Sequence, residues 1–429
     1  MTIYRGQILD TPKSPFTGGA LRVESDGGVV VRDGRIDGFG PFGQVRSAHP
    51  DDEVVTLDSG VLIPGLVDTH VHYPQVRVIG GLGMPLLDWL EHCALPEEAR
   101  LVDPSYAEGV AHDFVRSLTQ AGTTSALVFG SHYPAAVDAL FTEAERVGPR
   151  ITAGLVLSDR ILRDDLLTTP EQADRDSRAL ARRWHGKGRM RYAVTPRFSL
   201  SCTDEMLAAC GRILADLDTV LFTSHINENV AEIAQVTGLF ESDYLGSYAR
   251  HGLVGPRSVF AHNVHVSDSE LAGLGGAGAG VAHCPTSNAA LGSGLFPLRR
   301  HLAHDVRVAL GTDVGAGTGF ALFKEGLQAY FAQQLLGPDG VPLTSAHLLH
   351  LATTAGADLL GLPDVGDFTV GKRFDAVWVR PADGTSLDIA LRNAADADDA
   401  LAKVFALGST ADVHQVWIDG DPIDLQRAG

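Results

Sequence analysis

Short apolar runs separated by turn residues fill the first 62 positions of the chain. One of them, Gly28-Val-Val-Val-Arg-Asp-Gly-Arg, contains Asp33-Gly34, a pair typical of a tight hairpin turn. From residue 61 to about 315 the pattern changes to short β-branched segments that alternate with longer stretches of helical periodicity. Strands that alternate with helices indicate parallel βα units. The chain therefore begins with a β element and continues as an α/β part.

Eight strands can be counted in the α/β part. They are predicted at residues 61–72, 124–132, 151–158, 191–197, 220–228, 258–262, 281–288 and 306–313. Most of these segments end in a His, Asp, Glu, Arg or Asn, and a (β/α)₈ barrel builds its active site at the carboxyl ends of its strands. The pattern predicts an α/β fold with a TIM-type (β/α)₈ barrel.

The end of the chain returns to a β pattern. Helical periodicity at 323–336 and 344–360 is followed by strand-like runs at 371–380 and 413–421. Because β-rich segments flank the barrel on both sides, the simplest assembly pairs them with each other. We therefore predict a small β-sandwich domain built from residues 1–62 and 372–429, beside a catalytic barrel domain of residues 63–371.

Composition narrows the classes of partner and location. The apolar share of 45% is normal for a folded protein that buries a sizeable core. A net charge of −19 opposes binding to nucleic-acid phosphates. No stretch approaches the roughly 20 apolar residues that cross a bilayer, and no secretory signal pattern opens the chain. We expect a cytoplasmic protein without nucleic-acid or membrane partners, whose four widely spaced cysteines are reduced core thiols.

Histidines at predicted strand ends form a candidate metal site. His70 and His72 lie two residues apart, and strand geometry sends such side chains to the same face, where they can hold one ion. His225, His262 and Asp313 end the fifth, sixth and eighth strands. Each alone is more often a core histidine or a helix cap, but together they form a nitrogen and oxygen ligand set suited to zinc or iron.

A carboxylate close to such a site can move protons. Glu228 follows His225 by three residues, where the strand gives way to a loop or helix, so it can lie near the metal without coordinating it. Zinc lowers the pKa of a bound water towards ~7, and the reaction then needs a general acid/base. Glu228 is the candidate.

Several tempting features carry less weight. The G-x-G-x-x-G match at 273–278 precedes a strand instead of following one, so we interpret it as a flexible loop and not as a dinucleotide site. His283 and Cys284 introduce a shaped loop and are not counted as ligands. His132 is interpreted as a wall or surface residue. Trp89 lies in a segment of helical spacing, Leu86-Leu-Asp-Trp-Leu-Glu, that is typical of core or of a pocket lid.

Five motifs carry a family resemblance. They are Pro64-Gly-Leu-Val-Asp-Thr-His-Val-His-Tyr-Pro-Gln75, Thr195-Pro-Arg-Phe-Ser-Leu-Ser-Cys202, Ser224-His-Ile-Asn-Glu228, Ala282-His-Cys-Pro-Thr-Ser-Asn288 and Leu310-Gly-Thr-Asp-Val314. With them, the chain resembles the guanine deaminases of the amidohydrolase superfamily over most of its length. The histidines and the Gly-Thr-Asp are shared across the superfamily. Pro-Arg-Phe-Ser, Gln75 and the Trp89 segment with its following Pro96-Glu-Glu are more specific to guanine deaminases.

The resemblance implies a role for each matching residue. One zinc ion per chain would be held by His70, His72, His225 and Asp313. His262 and Asp313 would orient the attacking water, and Glu228 would move the protons. Gln75 and Arg197 would hydrogen-bond the purine edge, Phe198 would pack near the ring, and Trp89 would complete the substrate contacts. The reaction implied is hydrolysis of guanine to xanthine and ammonia in purine catabolism, by a homodimer.

One position departs from the pattern, and other functions remain open. Ala321 stands where a Ser is expected, which would change the polarity of the pocket. A deaminase of an aminotriazine, a pterin or 8-oxoguanine stays possible on these motifs. A two-metal cyclic amidohydrolase typically needs a lysine at the end of the fourth strand, and residues 193–198 contain none. The complete ligand set argues against an inactive binding barrel, and the cytidine-deaminase type needs a P-C-x-x-C that this chain lacks.

Overall fold

The structure, a computed structural model, describes residues 1–425. Its strands in chain order are β1 (Thr2–Asp10), β2 (Arg22–Arg32), β3 (Arg35–Pro41), β4 (Glu53–Thr56), β5 (Val61–Pro64), β6 (Leu66–His72), β7 (Thr123–Phe129), β8 (Arg150–Gly154), β9 (Val156–Leu157), β10 (Arg191–Pro196), β11 (Leu221–Ile226), β12 (Ser258–His262), β13 (Gly280–His283), β14 (Arg307–Leu310), β15 (Ala376–Val379), β16 (Val413–Ile418) and β17 (Asp421–Ile423).

Helices occupy most of the connections. They are α1 (Phe42–Ala48), α2 (Leu86–Trp89), α3 (Leu95–Ala99), α4 (Pro104–Gln120), α5 (Pro134–Val147), α6 (Pro170–Trp184), α7 (Asp204–Asp216), α8 (Val230–Phe240), α9 (Tyr244–Ala249), α10 (Asp268–Ala277), α11 (Pro285–Ala290), α12 (Leu298–Ala303), α13 (Leu322–Leu335), α14 (Ser345–Ala352), α15 (Thr354–Leu359), α16 (Ser386–Arg392) and α17 (Ala397–Leu407). None of the helices within residues 1–425 has the length and apolar character needed to cross a membrane.

The predicted barrel is confirmed. Strands β6, β7, β8, β10, β11, β12, β13 and β14 lie side by side in that order and pair in parallel. Between the last and the first strand, the Asp313 N–H donates to the His70 carbonyl at 2.8 Å, and the His72 N–H donates to the Val314 carbonyl at 2.8 Å. These bonds bring the end of β14 against β6, so that Asp313 and the two histidines share one rim.

Apolar periodicity explains why the barrel assembles. Every residue of β7 is buried, as expected for a parallel strand covered on both faces. On α4, the buried residues Val110, Phe114 and Leu118 recur every four positions and form one face against the strands. The strand side chains that are packed inside the barrel include Val67, Leu127, Val259 and small alanines. The interior is therefore a filled core, and the polar chemistry is left at its carboxyl rim.

The two chain ends form the second sheet, as predicted. Its strand order is β17-β16-β15-β5-β1-β2-β3, with β4 paired to β1. The hairpin turn at Asp33 and Gly34 is confirmed, because both residues have the positive φ of a tight two-residue turn (50° and 75°). Tyr4 stacks on Phe374 with ring centroids 5.0 Å apart, which joins the N-terminal and C-terminal segments in one aromatic cluster.

The first predicted strand, 61–72, is wrong as a single element. It divides at Gly65 into β5, which pairs with β1 and β15 in the chain-end sheet, and β6, which opens the barrel. Gly65 lies so close to Thr124 that an added Cβ would stand 2.2 Å from its hydroxyl oxygen. The division into domains of residues 1–62 with 372–429 and of residues 63–371 stays a prediction, because hydrogen-bonded sheets do not by themselves define folding units.

Two further predictions in the α/β part of the chain are also wrong. Residues 273–278 are not a flexible loop but the end of α10, which Ser267 and Glu270 cap at its N-terminus. Gly275 is needed there because a Cβ would stand 1.8 Å from the His304 carbonyl oxygen. The strand predicted at 281–288 ends at His283, and α11 follows because Pro285 occupies its first turn.

Three predicted elements in the C-terminal third of the chain are shorter or divided in the structure. The helix predicted at 344–360 is interrupted at Thr353, which leaves α14 and α15 as separate elements. The strand predicted at 371–380 is formed only by β15. The run at 413–421 turns back on itself at Asp419 and Gly420, both with positive φ, to form the β16–β17 hairpin.

Candidate active site

Buried histidines and Asp313 meet at the carboxyl rim of the barrel. The Nε2 atom of His72 lies 3.2 Å from His70 Nε2 and 3.2 Å from His225 Nε2. Asp313 Oδ1 lies 3.2 Å from the Nε2 atoms of both His70 and His72. Two ligands of one zinc ion, each about 2.0–2.2 Å from the metal, stand roughly 3 to 3.5 Å apart. The donor spacing therefore fits a shared metal ion.

The chemistry of this donor set also fits a cation. A proton on His72 Nε2 could satisfy only one of its three close neighbours. His225 Nδ1 lies 2.6 Å from the Arg197 carbonyl oxygen, so its N–H donates there and its Nε2 lone pair is left for a metal. Burial lowers the pKa of His70 and His225, and it lowers that of His72 to about 4. All three imidazoles are neutral at neutral pH, as metal ligands must be.

His262 could serve as a metal ligand in place of His72. One donor atom from each of His70, His225, His262 and Asp313 lies within 4.8 Å of the others, so a ligand set that includes His262 is also compatible with distance. The His262 Nδ1 atom is 2.9 Å from Asn288 Oδ1, and its buried Nε2 has no hydrogen-bond partner among residues 1–425. Nε2 stands 3.7 Å from Asp313 Oδ2, farther than the 3.2 Å of His72. The cluster can hold a metal with either set.

Asp68 supports the cluster from below, although no spacing in the sequence singled it out. Its carboxylate accepts from the His70 N–H at 3.2 Å and from the Thr312 N–H at 3.0 Å. The Thr312 hydroxyl donates to its other oxygen at 2.5 Å. Burial raises the pKa of Asp68 to about 7. The residue ties β6 to the end of β14, which fixes the separation of His70 and Asp313.

Glu228 lies beside the cluster without joining its closest contacts. The Ser293 hydroxyl donates to Glu228 Oε1 at 3.1 Å, and Oε2 is 3.4 Å from His262 Nε2. Burial, followed by the negative charge of Asp313, raises the pKa of Glu228 to about 8. A carboxyl group whose pKa lies near neutrality can both accept and return a proton. Ser293 was not singled out in the sequence.

A cavity opens onto the cluster. Its wall contains all four predicted substrate contacts, Gln75, Trp89, Arg197 and Phe198. The remaining lining residues are His72, Leu86, Leu90, His225, Glu228, Glu232, His262, Leu291, Asp313 and Ala316. Ala321 caps the N-terminus of α13 and is not part of this wall, so the expected change in pocket polarity is not seen there. The apolar and aromatic lining suits a flat ring.

Behind the wall, Glu98 contacts several of its polar residues. Glu98 lies on α3, in the Pro96-Glu-Glu stretch to which no role was given, and is 2% exposed. Gln75 Nε2 donates to it at 2.7 Å, and Arg197 Nη1 at 2.5 Å. His132, interpreted from sequence as a wall or surface residue, is buried with Nε2 3.3 Å from the same carboxylate. The Pro96-Glu-Glu stretch itself was the available signal.

Comparison with known proteins agrees with this geometry. The sequence matches the amidohydrolase family over residues 61–423. It is 57% identical to a probable guanine deaminase from Deinococcus radiodurans, and the alignment covers all of both chains. The structure of guanine deaminase from Escherichia coli superposes with a TM-score of 0.95 at 35% identity, covering both chains completely. A guanine deaminase from C. acetobutylicum, solved with guanine in its active site, gives 0.92 at 26% identity, covering 99% of this chain and 100% of that one.

Proposed function

The chain belongs to the amidohydrolase family, and from that premise we propose that it is a guanine deaminase, hydrolysing guanine to xanthine and ammonia. The observation that carries the proposal is a single cavity in which a His/Asp cluster faces a wall that contains Arg197, Gln75 and Phe198. Full-length likeness to guanine deaminases supports the choice of substrate.

We assign the metal as zinc, one ion per chain, held by His70, His72, His225 and Asp313. These four residues have the 3.2 Å donor contacts described above, and His262 is left to hydrogen-bond the attacking water. When bound, zinc lowers the pKa of a water and so supplies hydroxide at neutral pH. The fourth strand offers Thr195, Pro196 and Arg197 where a two-metal site would need a lysine.

The protein's own groups would complete the reaction. Arg197 and Gln75 donate hydrogen bonds to O6 of guanine, and Phe198 packs on the ring. This orientation turns C2 and its amino group towards the metal cluster. Glu228 takes a proton from the water and returns it to a ring nitrogen, while Asp313 and His262 hold the water in line. The proton of the hydroxyl group added at C2 then passes to the 2-amino group, which leaves as ammonia while C2 becomes a carbonyl, and the product is xanthine.

A substrate panel tests the proposal. Purified zinc-loaded protein would be incubated with guanine, 8-oxoguanine, a pterin, an aminotriazine and a hydantoin, with ammonia and ring-opened product measured. Guanine should give the highest kcat/KM, with xanthine and ammonia in equal amounts. A higher kcat/KM for another amino-substituted ring would reassign the substrate, and ring opening of the hydantoin would reassign the reaction.

A homodimer, which the resemblance implies, and a cytoplasmic location, which the sequence pattern led us to expect, are further proposals. Sedimentation of the purified protein would test the first, and fractionation of the source cells the second.

A further inference from the structure

Glu98 lies where the cavity wall meets the segment that covers it. After β6, the chain contributes Leu86 and Trp89 of α2 to the cavity wall and then reaches Glu98 on α3. Its contacts come from three different parts of the fold: Gln75 after β6, His132 after β7 and Arg197 after β10. None of these contacts is made to the metal cluster. Glu98 therefore acts on the cavity through the residues that line it.

The first consequence concerns Gln75. Its Nε2 donates to Glu98 Oε1 at 2.7 Å, while its Oε1 accepts the Gly315 N–H at 3.0 Å. A side-chain amide with a donor partner at one end and an acceptor partner at the other cannot be reversed without losing both bonds. Glu98 and Gly315 thus determine which end of Gln75 faces the cavity.

The second consequence concerns Arg197. Its guanidinium is 3% exposed, and a buried charge is costly unless it is paired. Glu98 supplies the opposite charge at 2.5 Å from Nη1, and His132 lies 3.5 Å from the same nitrogen. A guanidinium has five donors in a fixed planar fork, so holding Nη1 sets the direction of the others.

We propose that Glu98 is a positioning residue that determines the substrate class of the cavity. By fixing Gln75 and Arg197 together, it presents hydrogen-bond donors to the side of the ring away from the metal cluster. Rings with acceptors on that side, as in the 6-oxo edge of guanine, are selected, and rings with an amino group there are rejected. This inference rests on the proposed function and adds to it a residue that never touches the substrate.

The test is Glu98→Gln, with Glu97→Gln as the matched control. A glutamine at position 98 keeps the volume but turns one donor towards the donor of Gln75 or of Arg197. We expect the KM for guanine to rise at least ~10-fold while kcat falls less than ~3-fold, because lost ground-state binding raises KM without slowing the chemistry. Glu97 pairs with Arg100 at 3.0 Å, outside the cavity, so its variant should keep the wild-type KM.

A double-mutant cycle separates positioning from general structural support. If Glu98 acts through Arg197, then Glu98→Gln should raise KM less than ~3-fold in an Arg197→Lys background, because interacting residues are not additive. Equal effects in both backgrounds would overturn the proposal. So would a guanine KM within twofold of wild type in Glu98→Gln. If that variant fails to fold, Glu98→Asp carries the test, since its shorter carboxylate should give a raised KM, and an unchanged KM would overturn the proposal.

Discrimination between rings provides a second readout. The compared quantity is the ratio of kcat/KM for guanine to kcat/KM for 2,6-diaminopurine, a purine with an amino group in place of O6. This ratio should be at least ~5-fold lower in Glu98→Gln than in wild type. An unchanged ratio would contradict the role in selection. Wild-type protein that does not turn over guanine at all would instead contradict the proposed function, and the two failures are thus distinguished in one assay.

Discussion

Individual residues of the site differ in how visible they are in the sequence. That His70, His72, His225 and Asp313 meet could be predicted, because each lies near the carboxyl end of a strand and these ends converge in a barrel. The roles of Asp68 and Glu98 could not be predicted, because their partners are distant in the sequence. Asp68 contacts Thr312, 244 residues away, and Glu98 contacts Arg197, 99 residues away. Their carboxylates lie behind the ligands and the wall, where no local spacing marks them.

A substitution at Glu228 distinguishes a loss of proton transfer from a loss of metal binding. Glu228→Gln keeps the bond from Ser293 and the shape of the cavity but removes the carboxylate that we propose to accept and return a proton. Turnover of guanine should fall at least ~10²-fold, the usual loss when a general acid/base is removed. Metal content should stay at the wild-type level. Loss of metal would show that Glu228 is a ligand, and near-normal turnover would move the proton transfer to Asp313 or His262.

At the scale of elements, strand order was easier to predict than element boundaries. The break at Gly65 and the helix α11 after His283 depend on partners that arrive from elsewhere in the fold. The junction of α13 with α11 is such a case: Glu325 accepts the Thr286 N–H at 3.0 Å and the Thr286 hydroxyl at 2.7 Å, with no exposure to solvent. Neither helix pattern contains a signal for this contact.

This junction should make stability depend on pH. Burial raises the pKa of Glu325 to about 8, from an ordinary value of 4.5. The folded protein then binds more protons than the unfolded chain between these values, so the stabilisation present below pH 4.5 is lost as the pH rises towards 8. Glu325→Gln should reduce this loss.

The measurement is the free energy of unfolding at pH 5 and pH 8. From pH 5 to pH 8, the free energy of unfolding of Glu325→Gln should rise by more than about 1 kcal/mol relative to that of wild type. Glu108 is an exposed residue on α4, so Glu108→Gln should show the same change in unfolding free energy between the two pH values as wild type. Parallel curves for wild type and Glu325→Gln would mean that Glu325 is already ionised in the folded protein.

At the scale of the whole molecule, the barrel and the chain-end sheet are joined by a partly buried ion-pair cluster. Arg150 on β8 donates from Nε to Asp375 at 3.0 Å and also pairs with Asp419 in the β16–β17 turn. Arg189 pairs with Asp419 at 2.6 Å. Sequence periodicity predicted that the chain ends would pair, but it gave no indication of this contact, which spans 225 positions between Arg150 and Asp375.

Removing the central charge should destabilise the assembly. Arg150→Ala leaves Asp375 buried without its countercharge, which typically costs about 3 to 5 kcal/mol. Arg163→Ala removes an exposed pair with Asp165 and should cost less than about 1 kcal/mol. Denaturant unfolding of the three proteins, each loaded with metal, compares them. Equal losses in the two variants would show that the partly buried cluster does not hold the two sheets together.

A zinc titration followed by guanine turnover tests most directly whether one metal ion in this barrel hydrolyses guanine. Metal-free protein would receive Zn²⁺ in fractions of an equivalent, and xanthine formation would be measured at each step. Activity should rise linearly and stop rising at one equivalent per chain, as four protein ligands around a single ion require. Full activity before metal is added, or a rise that continues to two equivalents, would contradict the single-zinc site.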